Sequence, residues 1–230
     1  MDLDDKLVEL PEEVGKAFSS DTEYVLLDHI GGGGSRIVHR GWDENWSEFR
    51  AVKIYQQQPW GPQGTLQQAN HSQEELNENE GKNLGKLKHD NIVRIWDKGN
   101  VEVGEKVWEY SVEEFVKGQN LDDLTPTLNQ SEKEDRFGQL LDALSFMHSK
   151  KVAHRDIKPE NVMVTEDGDV QLTDLQFSVD EKDFDTWKGY HGVGDATPPD
   201  MKDPEIKADY GFDVYSLGVT LFDVLTGDKE

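Results

Sequence analysis

The spacing of apolar positions divides the chain into a strand-rich first half and a helix-rich second half. Short apolar or alternating runs predict five strands in the first half, at residues 24–30, 37–42, 49–55, 91–99 and 105–116. Apolar residues recur at helical spacing in the second half, at Phe137, Leu140, Leu141, Leu144 and Met147. The change of period predicts an α+β chain with two lobes, joined near residues 116–120.

The remaining segments complete this outline. Residues 132–149 and 212–227 are predicted helices, and two short strands are expected near 162–164 and 170–173. Residues 73–89 also have a helical pattern, after a loop at 56–72 that is rich in Gln, Pro and Gly. An acidic helical extension is predicted at the N-terminus from the spacing of Leu3, Leu7, Leu10, Val14 and Phe18. We therefore expect an extension over 1–23, a first lobe over 24–116 and a second lobe over 117–230.

Composition narrows the classes of partner. The 230 residues include 48 acidic and 24 basic residues, for a formal net charge of -24. Such a charge repels nucleic acids and anionic membranes, because no basic face displaces their counterions. No apolar run approaches the roughly 18 residues that cross a bilayer, and the acidic N-terminus does not resemble a signal peptide. Cysteine is absent, which excludes disulfides and thiolate metal sites. We expect a cytoplasmic protein that binds neither nucleic acid nor membrane.

The segment "VAHRDIKPENVMV", residues 152–164, concentrates polar chemistry between strand-like runs. A carboxylate such as that of Asp156 can accept the proton of a hydroxyl group. Asn161 follows five residues later, and Asp174 comes directly after the next predicted strand. Amide and carboxylate oxygens are suitable ligands for Mg²⁺. These residue types together indicate a site that handles a hydroxyl group and a metal-bound anion.

Two motifs in the first half are less specific. The glycine-rich turn "IGGGGSRIV", residues 30–38, lets backbone N–H groups approach phosphate oxygens, but glycines also occur in ordinary hairpins. Lys53 lies in the following strand, where a lysine usually faces solvent. Glu80, in the predicted helix, could pair with Lys53 and hold its ammonium toward phosphates. Neither motif decides the function alone.

From about residue 24 the chain resembles the protein kinase family. The matching motifs are "GGGGSRIV" (31–38), "AVK" (51–53), "HRDIKPEN" (154–161), "DLQ" (174–176) and "DVYSLGV" (213–219). The resemblance implies a bilobal α+β fold, with a five-stranded antiparallel N-lobe that carries helix C and a mainly helical C-lobe. The chain stops at "LTGDKE", so we expect a C-lobe without its last helices. The resemblance also implies that ATP is the substrate and Mg²⁺ the cofactor.

The resemblance assigns roles to individual residues. Lys53 would contact the α- and β-phosphates, with Glu80 as its partner on helix C. Asp156 would orient and deprotonate the acceptor hydroxyl, and Lys158 would neutralise the γ-phosphate. Asn161 and Asp174 would hold Mg²⁺, and Asp213 would anchor the column of side chains that links the lobes. The implied nucleotide-binding residues are Ile30, Gly31, Gly32, Gly33, Gly34, Ser35, Val38, Ala51, Lys53, Glu114, Val116 and Met163.

Four positions depart from the family pattern. Arg36 replaces the third glycine that the family has in its glycine-rich loop. Gln176, the last residue of "DLQ", replaces the glycine of the family's metal-binding motif. Val193 replaces a threonine. Glu113 lies just before the hinge, the segment that connects the two lobes, at a position where the family usually has a neutral side chain. A buried carboxylate there needs a partner or a raised pKa, unless it points to solvent.

These observations favour a serine/threonine protein kinase, because Lys158 in "HRDIKPEN" resembles that class. A pseudokinase that binds nucleotide or acts as a scaffold is the alternative, and a small-molecule kinase of the same fold is the second alternative. The expected partner is a protein substrate. The acidic net charge of this chain favours a basic substrate. Apolar residues of the last helix (Val214, Leu217, Leu221 and Phe222) would favour self-association or a covering partner chain.

Overall fold

The chain forms two compact units in the computed structural model. Unit 1 comprises Met1–Gly64 and Ile95–Phe115, and unit 2 comprises Thr65–Arg94 and Val116–Glu230. The structure describes residues 10–33, 36–55, 87–186, 198–199 and 206–227. The predicted helix at 73–89 therefore falls almost entirely outside the described residues, and the predicted loop at 56–72 falls entirely outside them.

Unit 1 contains a five-stranded antiparallel sheet. Its strands are β1 (Tyr24–Gly33), β2 (Arg36–Asp43), β3 (Glu48–Tyr55), β4 (Ile95–Val103) and β5 (Lys106–Glu114). They are ordered β1-β2-β3-β5-β4, and every neighbouring pair is antiparallel. The predicted five-stranded antiparallel sheet is confirmed.

One face of this sheet is covered by helix α1 (Glu12–Asp21). Alternation along β3 directs Val52 and Ile54 to that face, where both are at most 1% exposed. Val14 and Phe18 of α1 are each 1% exposed and belong to the same apolar cluster. The Phe18 ring meets the Tyr110 ring edge-on at a centroid distance of 5.0 Å. The predicted N-terminal helix is present over these residues, whereas Leu3 and Leu7 lie outside the described part of the chain.

Unit 2 combines short strands with longer helices. Its elements are β6 (Gly118–Asn120), α2 (Leu121–Leu124), α3 (Gln130–Ser149), β7 (Val152–Ala153), β8 (Val162–Thr165), β9 (Val170–Leu172), β10 (Val179–Asp180) and α4 (Tyr210–Thr226). Strands β6, β8 and β9 form one antiparallel sheet in that order, and β7 pairs with β10. A Cβ atom on Gly118 would lie 1.8 Å from the carbonyl oxygen of Val164. Only glycine therefore permits this pairing of β6 with β8.

Helix α3 begins at a capping box and buries one stripe. The Asn129 side chain accepts the N–H of Glu132, whose carboxylate accepts the N–H of Asn129. Leu140, Leu144 and Met147 of the predicted stripe are buried, together with Ala143. Leu141, by contrast, is 41% exposed and does not belong to the core.

The segment before β4 belongs to unit 2. The Val93 N–H donates to the carbonyl of Leu172 at 3.0 Å, and the Leu172 N–H donates to the carbonyl of Asn91 at 2.9 Å. The strand predicted at 91–99 accordingly begins only at Ile95. The lobe boundaries at residues 23 and 116 stay predictions.

Helix α4 is buried on one side and exposed on the other. Phe212, Leu217 and Val224 are buried, whereas Val214 is 61% exposed and Phe222 is 43% exposed. The buried state of Leu217 differs from the exposure expected for it. None of the helices in the described residues is both long and apolar enough to cross a membrane.

Replacing Phe18 tests the packing of α1 on the sheet. Phe18→Ala should lower the free energy of unfolding by about 3–5 kcal/mol, because it removes a buried ring and leaves a cavity. Urea denaturation of the purified chain measures this loss. Lys16→Ala is the control, since Lys16 is exposed and pairs with exposed Glu12 in the same helix. Equal losses in the two variants would contradict the packing.

Candidate functional site

A single buried carboxylate holds the loop between β7 and β8. Asp213 of α4 is 0% exposed. Its Oδ2 accepts the His154 N–H at 2.8 Å, and its Oδ1 accepts the Arg155 N–H at 2.7 Å. Arg155 has a φ of 69°, which is an uncommon conformation for a residue with a side chain. Two hydrogen bonds to the same carboxylate stabilise this turn of the backbone.

Two neighbouring groups complete the environment of Asp213. His148 Nε2, at the end of α3, lies 2.8 Å from Asp213 Oδ2. The Arg155 side chain is buried, and burial lowers the pKa of its guanidinium to about 10, although the charge of Asp213 opposes the shift. The guanidinium therefore remains charged at neutral pH beside the carboxylate.

The His154 ring joins the loop to the segment that precedes Asp174. Its Nδ1 accepts the Asp156 N–H at 3.1 Å, and its Nε2 lies 3.0 Å from the carbonyl oxygen of Thr173. Nδ1 is then an acceptor and Nε2 a donor, which defines the Nε2–H tautomer. Because His154 is 0% exposed, this link is shielded from water.

The side chains of Asp156, Lys158 and Asn161 form one cluster. Asn161 Nδ2 donates to Asp156 Oδ2 at 2.7 Å and to the Asp156 carbonyl at 2.8 Å. Lys158 Nζ lies 3.0 Å from Asp156 Oδ2 and 3.2 Å from Oδ1. Asp156 is 9% exposed and Asn161 is 5% exposed. A carboxylate, an ammonium and an amide are thus fixed within six residues of sequence.

Charges around Lys158 keep it protonated. Burial alone lowers the pKa of its ammonium, but the charge and hydrogen bond of Asp156 raise it, and Asp174 and Glu160 add to the increase. The net pKa shift is upward. Lys158 therefore carries its positive charge at neutral pH, and the Asp174 carboxylate lies within electrostatic range of it.

Asp174 is presented by backbone contacts to Asn161. The N–H and hydroxyl of Thr173 donate to the Asn161 carbonyl at 2.9 and 3.1 Å. Asp174 follows in the left-handed conformation, with φ 67° and ψ 58°, and is 4% exposed. Aspartate is among the few residue types that tolerate this conformation. The same backbone contact therefore brings the two predicted metal ligands into one region of unit 2.

The chemistry of these ligands suits Mg²⁺ shared with a substrate. The described residues contain no group of three His, Cys, Asp or Glu side chains that could hold a metal by themselves. Mg²⁺ is commonly held by one or two carboxylates together with phosphate oxygens and water, rather than by a complete protein cage. One amide oxygen on Asn161 and one carboxylate on Asp174 fit that mode.

In unit 1, Lys53 pairs with Glu113. Lys53 Nζ lies 2.5 Å from Glu113 Oε1, and the two residues are 6% and 2% exposed. In the sheet, Lys53 is opposite Ser111 while Ala51 is opposite Glu113. Lys53 and Glu113 are therefore diagonal neighbours on one face of β3 and β5. Of the outcomes considered for Glu113, the structure gives it a partner.

The glycine-rich end of β1 lies close against β2. A Cβ atom on Gly32 would lie 2.7 Å from the carbonyl oxygen of Arg36, so this close approach requires glycine. Val38 of β2 is opposite Lys53, and Ala51 lies two residues before Lys53 on β3. Alternation places these side chains on the face of the sheet opposite α1. Three predicted nucleotide-binding residues thus share one face.

Comparison with known proteins identifies this combination of motifs. A family model described as the protein kinase domain matches residues 24–230. The chain belongs to the protein kinase domain family. It is 34% identical to CBL-interacting protein kinase 21 of Oryza sativa subsp. japonica over 152 residues, which cover 62% of this chain and 27% of that protein.

Two other relatives give the same result. Serine/threonine-protein kinase chk1 of Schizosaccharomyces pombe is 32% identical over 148 residues, covering 61% of this chain and 28% of that protein. Calcium/calmodulin-dependent protein kinase type II of Caenorhabditis briggsae is 31% identical over 158 residues, covering 65% and 28%. The matched region thus spans between a quarter and a third of the length of these relatives.

The remaining predicted site residues of the kinase domain occupy varied places. Ile30 is 46% exposed in β1, which continues through Gly31, Gly32 and Gly33. Glu114 is exposed at the end of β5, and Val116 and Met163 are half-buried in unit 2. Glu80, Gly34, Ser35 and Val193 lie outside the described residues. The nucleotide contacts predicted for Ile30, the loop glycines, Ser35, Glu114, Val116 and Met163 stay predictions, as does the pairing of Glu80 with Lys53.

Sequence reasoning did not find two features of this site. The partner of Glu113 depends on the register of β3 with β5, which no local pattern specifies. The approach of His148 to Asp213 joins residues 65 apart in sequence, and no motif signals it.

Replacing Asp213 tests the anchoring of the loop. Asp213→Asn should lower the free energy of unfolding by about 1–3 kcal/mol, because its amide NH₂ group would face a buried N–H that loses its acceptor. Asp142→Asn, at an exposed position on α3, is the matched control. Urea denaturation measures both variants, and a loss no larger for Asp213→Asn than for Asp142→Asn would show that the two hydrogen bonds do not stabilise the fold.

Replacing Lys53 tests the buried ion pair. Lys53→Met should destabilise unit 1 by about 3 kcal/mol, because the Glu113 carboxylate stays buried without the ammonium. Adding Glu113→Gln to Lys53→Met should restore most of the loss. Thermal and urea denaturation measure the series, with exposed Lys16→Met as the control. No recovery in the double variant would mean that the stability effect does not pass through Glu113.

Proposed function

We propose that this kinase domain transfers the γ-phosphate of ATP to serine or threonine hydroxyl groups of proteins. The observation that carries the proposal is the cluster in which Asp156 accepts hydrogen bonds from Lys158 and Asn161. Family membership and the names of the three relatives support it. Those relatives are much longer than the matched region, so the activity, substrates and partners of this chain are stated as a proposal.

The cluster supports a defined division of roles. The Asp156 carboxylate accepts the proton of the acceptor hydroxyl while the hydroxyl oxygen forms a bond to the γ-phosphorus of ATP. The bond from that phosphorus to the bridging oxygen breaks, and ADP leaves. Lys158, which is charged at neutral pH, stabilises the negative charge on the transferred group. Such a reaction depends mainly on alignment and neutralisation of charge.

The other predicted residues bind and orient the nucleotide. Asn161 and Asp174 would hold Mg²⁺, which when bound neutralises charge on the phosphate oxygens. Lys53 supplies an ammonium for the α- and β-phosphates. Val38 and Ala51, on the same face as Lys53, would contact the adenine. The net charge of -24 favours a basic acceptor protein. The cytoplasmic location and self-association through α4 stay predictions.

A nucleotide-binding module without transfer is the second candidate. Arg36 occupies the third glycine position of the loop, and Lys53 is already paired with a carboxylate of unit 1. Both features would weaken contacts with the phosphates while leaving the adenine contacts in place.

Label transfer from ATP separates the candidates. The purified chain is incubated with Mg²⁺, γ-labelled ATP and generic basic and acidic acceptor proteins, beside Asp156→Asn. Labelled protein is expected from the wild type, with a loss of at least about 100-fold in Asp156→Asn, because proton transfer by a positioned base contributes about that much or more. Asp142→Asn, on the exposed side of α3, controls for the loss of one carboxylate and should behave as wild type.

Other results would favour the alternatives. Thermal stabilisation by ATP without any transfer would support the binding module. Label on a sugar or an antibiotic, with none on protein, would support a small-molecule kinase. Equal transfer by wild type and Asp156→Asn would overturn the assigned role of Asp156.

A further inference from the structure

The pairing of Lys53 with Glu113 has consequences for ligand binding. Both side chains are nearly inaccessible to water, at 6% and 2% exposed, and the distance between Nζ and Oε1 is 2.5 Å. An ion pair in a region with little water is stronger than the same pair in bulk solvent. Any other anion that approaches Lys53 must therefore act on an ammonium that already has a carboxylate beside it.

The sheet fixes the side from which an anion can approach. Val52 and Ile54, which flank Lys53 in β3, point to the opposite face and are buried beneath α1. Lys53 cannot turn toward that face without entering the apolar cluster. Glu113 and the phosphates of a nucleotide must consequently meet the ammonium on the same face of the sheet.

The Glu113 carboxylate and the triphosphate of the nucleotide therefore compete for the same ammonium. A triphosphate brings several negative charges to the ammonium, and the Glu113 carboxylate repels them at short range in a region with little water. Adenosine has the same base and sugar but no phosphate. Its binding should not depend on the charge of Glu113.

We infer that Glu113 is a positioning residue that competes with the nucleotide phosphates for Lys53, and so limits the preference of this domain for ATP over adenosine. The inference rests on the proposed function, in which Lys53 contacts the phosphates. It gives a role to the position before the hinge where a neutral side chain was expected.

Binding measurements on matched ligands test the inference. Titration calorimetry would give the dissociation constants of Mg²⁺–ATP and of adenosine for wild type and Glu113→Gln, which keeps the shape of the side chain and removes its charge. ATP should bind Glu113→Gln about threefold to tenfold more tightly, the range expected for relief of one charged contact, and adenosine should bind both proteins equally. An equal change for both ligands, no change, or weaker ATP binding would overturn the inference.

Three further variants identify the cause of the effect. Glu113→Asp retains the charge and should keep the wild-type ratio of ATP to adenosine affinity. Glu102→Gln removes an exposed carboxylate on β4, so it controls for net charge and should also keep that ratio. In a Lys53→Met background the gain from Glu113→Gln should become smaller, because only the direct repulsion between Glu113 and the phosphates remains when the ammonium is absent. Persistence of the full gain in that background would contradict the competition.

The same proteins distinguish failure of this inference from failure of the proposed function. Transfer of label that depends on Asp156, combined with an unchanged affinity ratio in Glu113→Gln, would leave the kinase activity intact and reject only the role of Glu113. Absence of ATP binding by the folded wild-type protein would reject both.

Discussion

The bonding of one buried carboxylate determines the geometry of the candidate site in unit 2. Asp213 accepts the N–H groups of His154 and Arg155, and in doing so holds Arg155 in a left-handed conformation. Asp156 follows immediately, and its own N–H is bound by the His154 ring. The orientation of the proposed base is therefore set by a group on α4, far away in sequence, and not by the loop alone.

The His154 ring extends this constraint to the second half of the site. Its contact with the Thr173 carbonyl and the contacts of Thr173 with Asn161 hold Asp174 against the loop. The backbone strain at Arg155 and Asp174 is thus maintained by hydrogen bonds that converge from two directions. Such bracing favours a site that is organised before its ligand arrives, which reduces the reorganisation required in phosphoryl transfer.

Local patterns predicted much of this molecule because much of its chemistry is local. Asp156, Lys158 and Asn161 lie within six residues, and short apolar or alternating runs located the five strands of unit 1, although the strand predicted from residue 91 begins at Ile95. The sequence could not provide long-range registration. Lys53 and Glu113 are 60 residues apart, and a slip of one residue between β3 and β5 would move them to opposite faces. Leu141 fitted the helical stripe yet is exposed, since the width of a buried stripe depends on the neighbouring elements.

Buried charge is balanced differently in the two units. In unit 2 the carboxylate of Asp156 is balanced by Lys158, so a phosphate that arrives at Lys158 gains an ammonium that remains charged. In unit 1 the ammonium of Lys53 is balanced by Glu113, so a phosphate there must replace an existing partner or share it. A neutral residue at position 113 would remove this competition and strengthen the binding of ATP. Retaining a carboxylate at that position weakens ground-state binding of the triphosphate, which is compatible with turnover because uniform tightening of substrate binding does not by itself accelerate the chemical step.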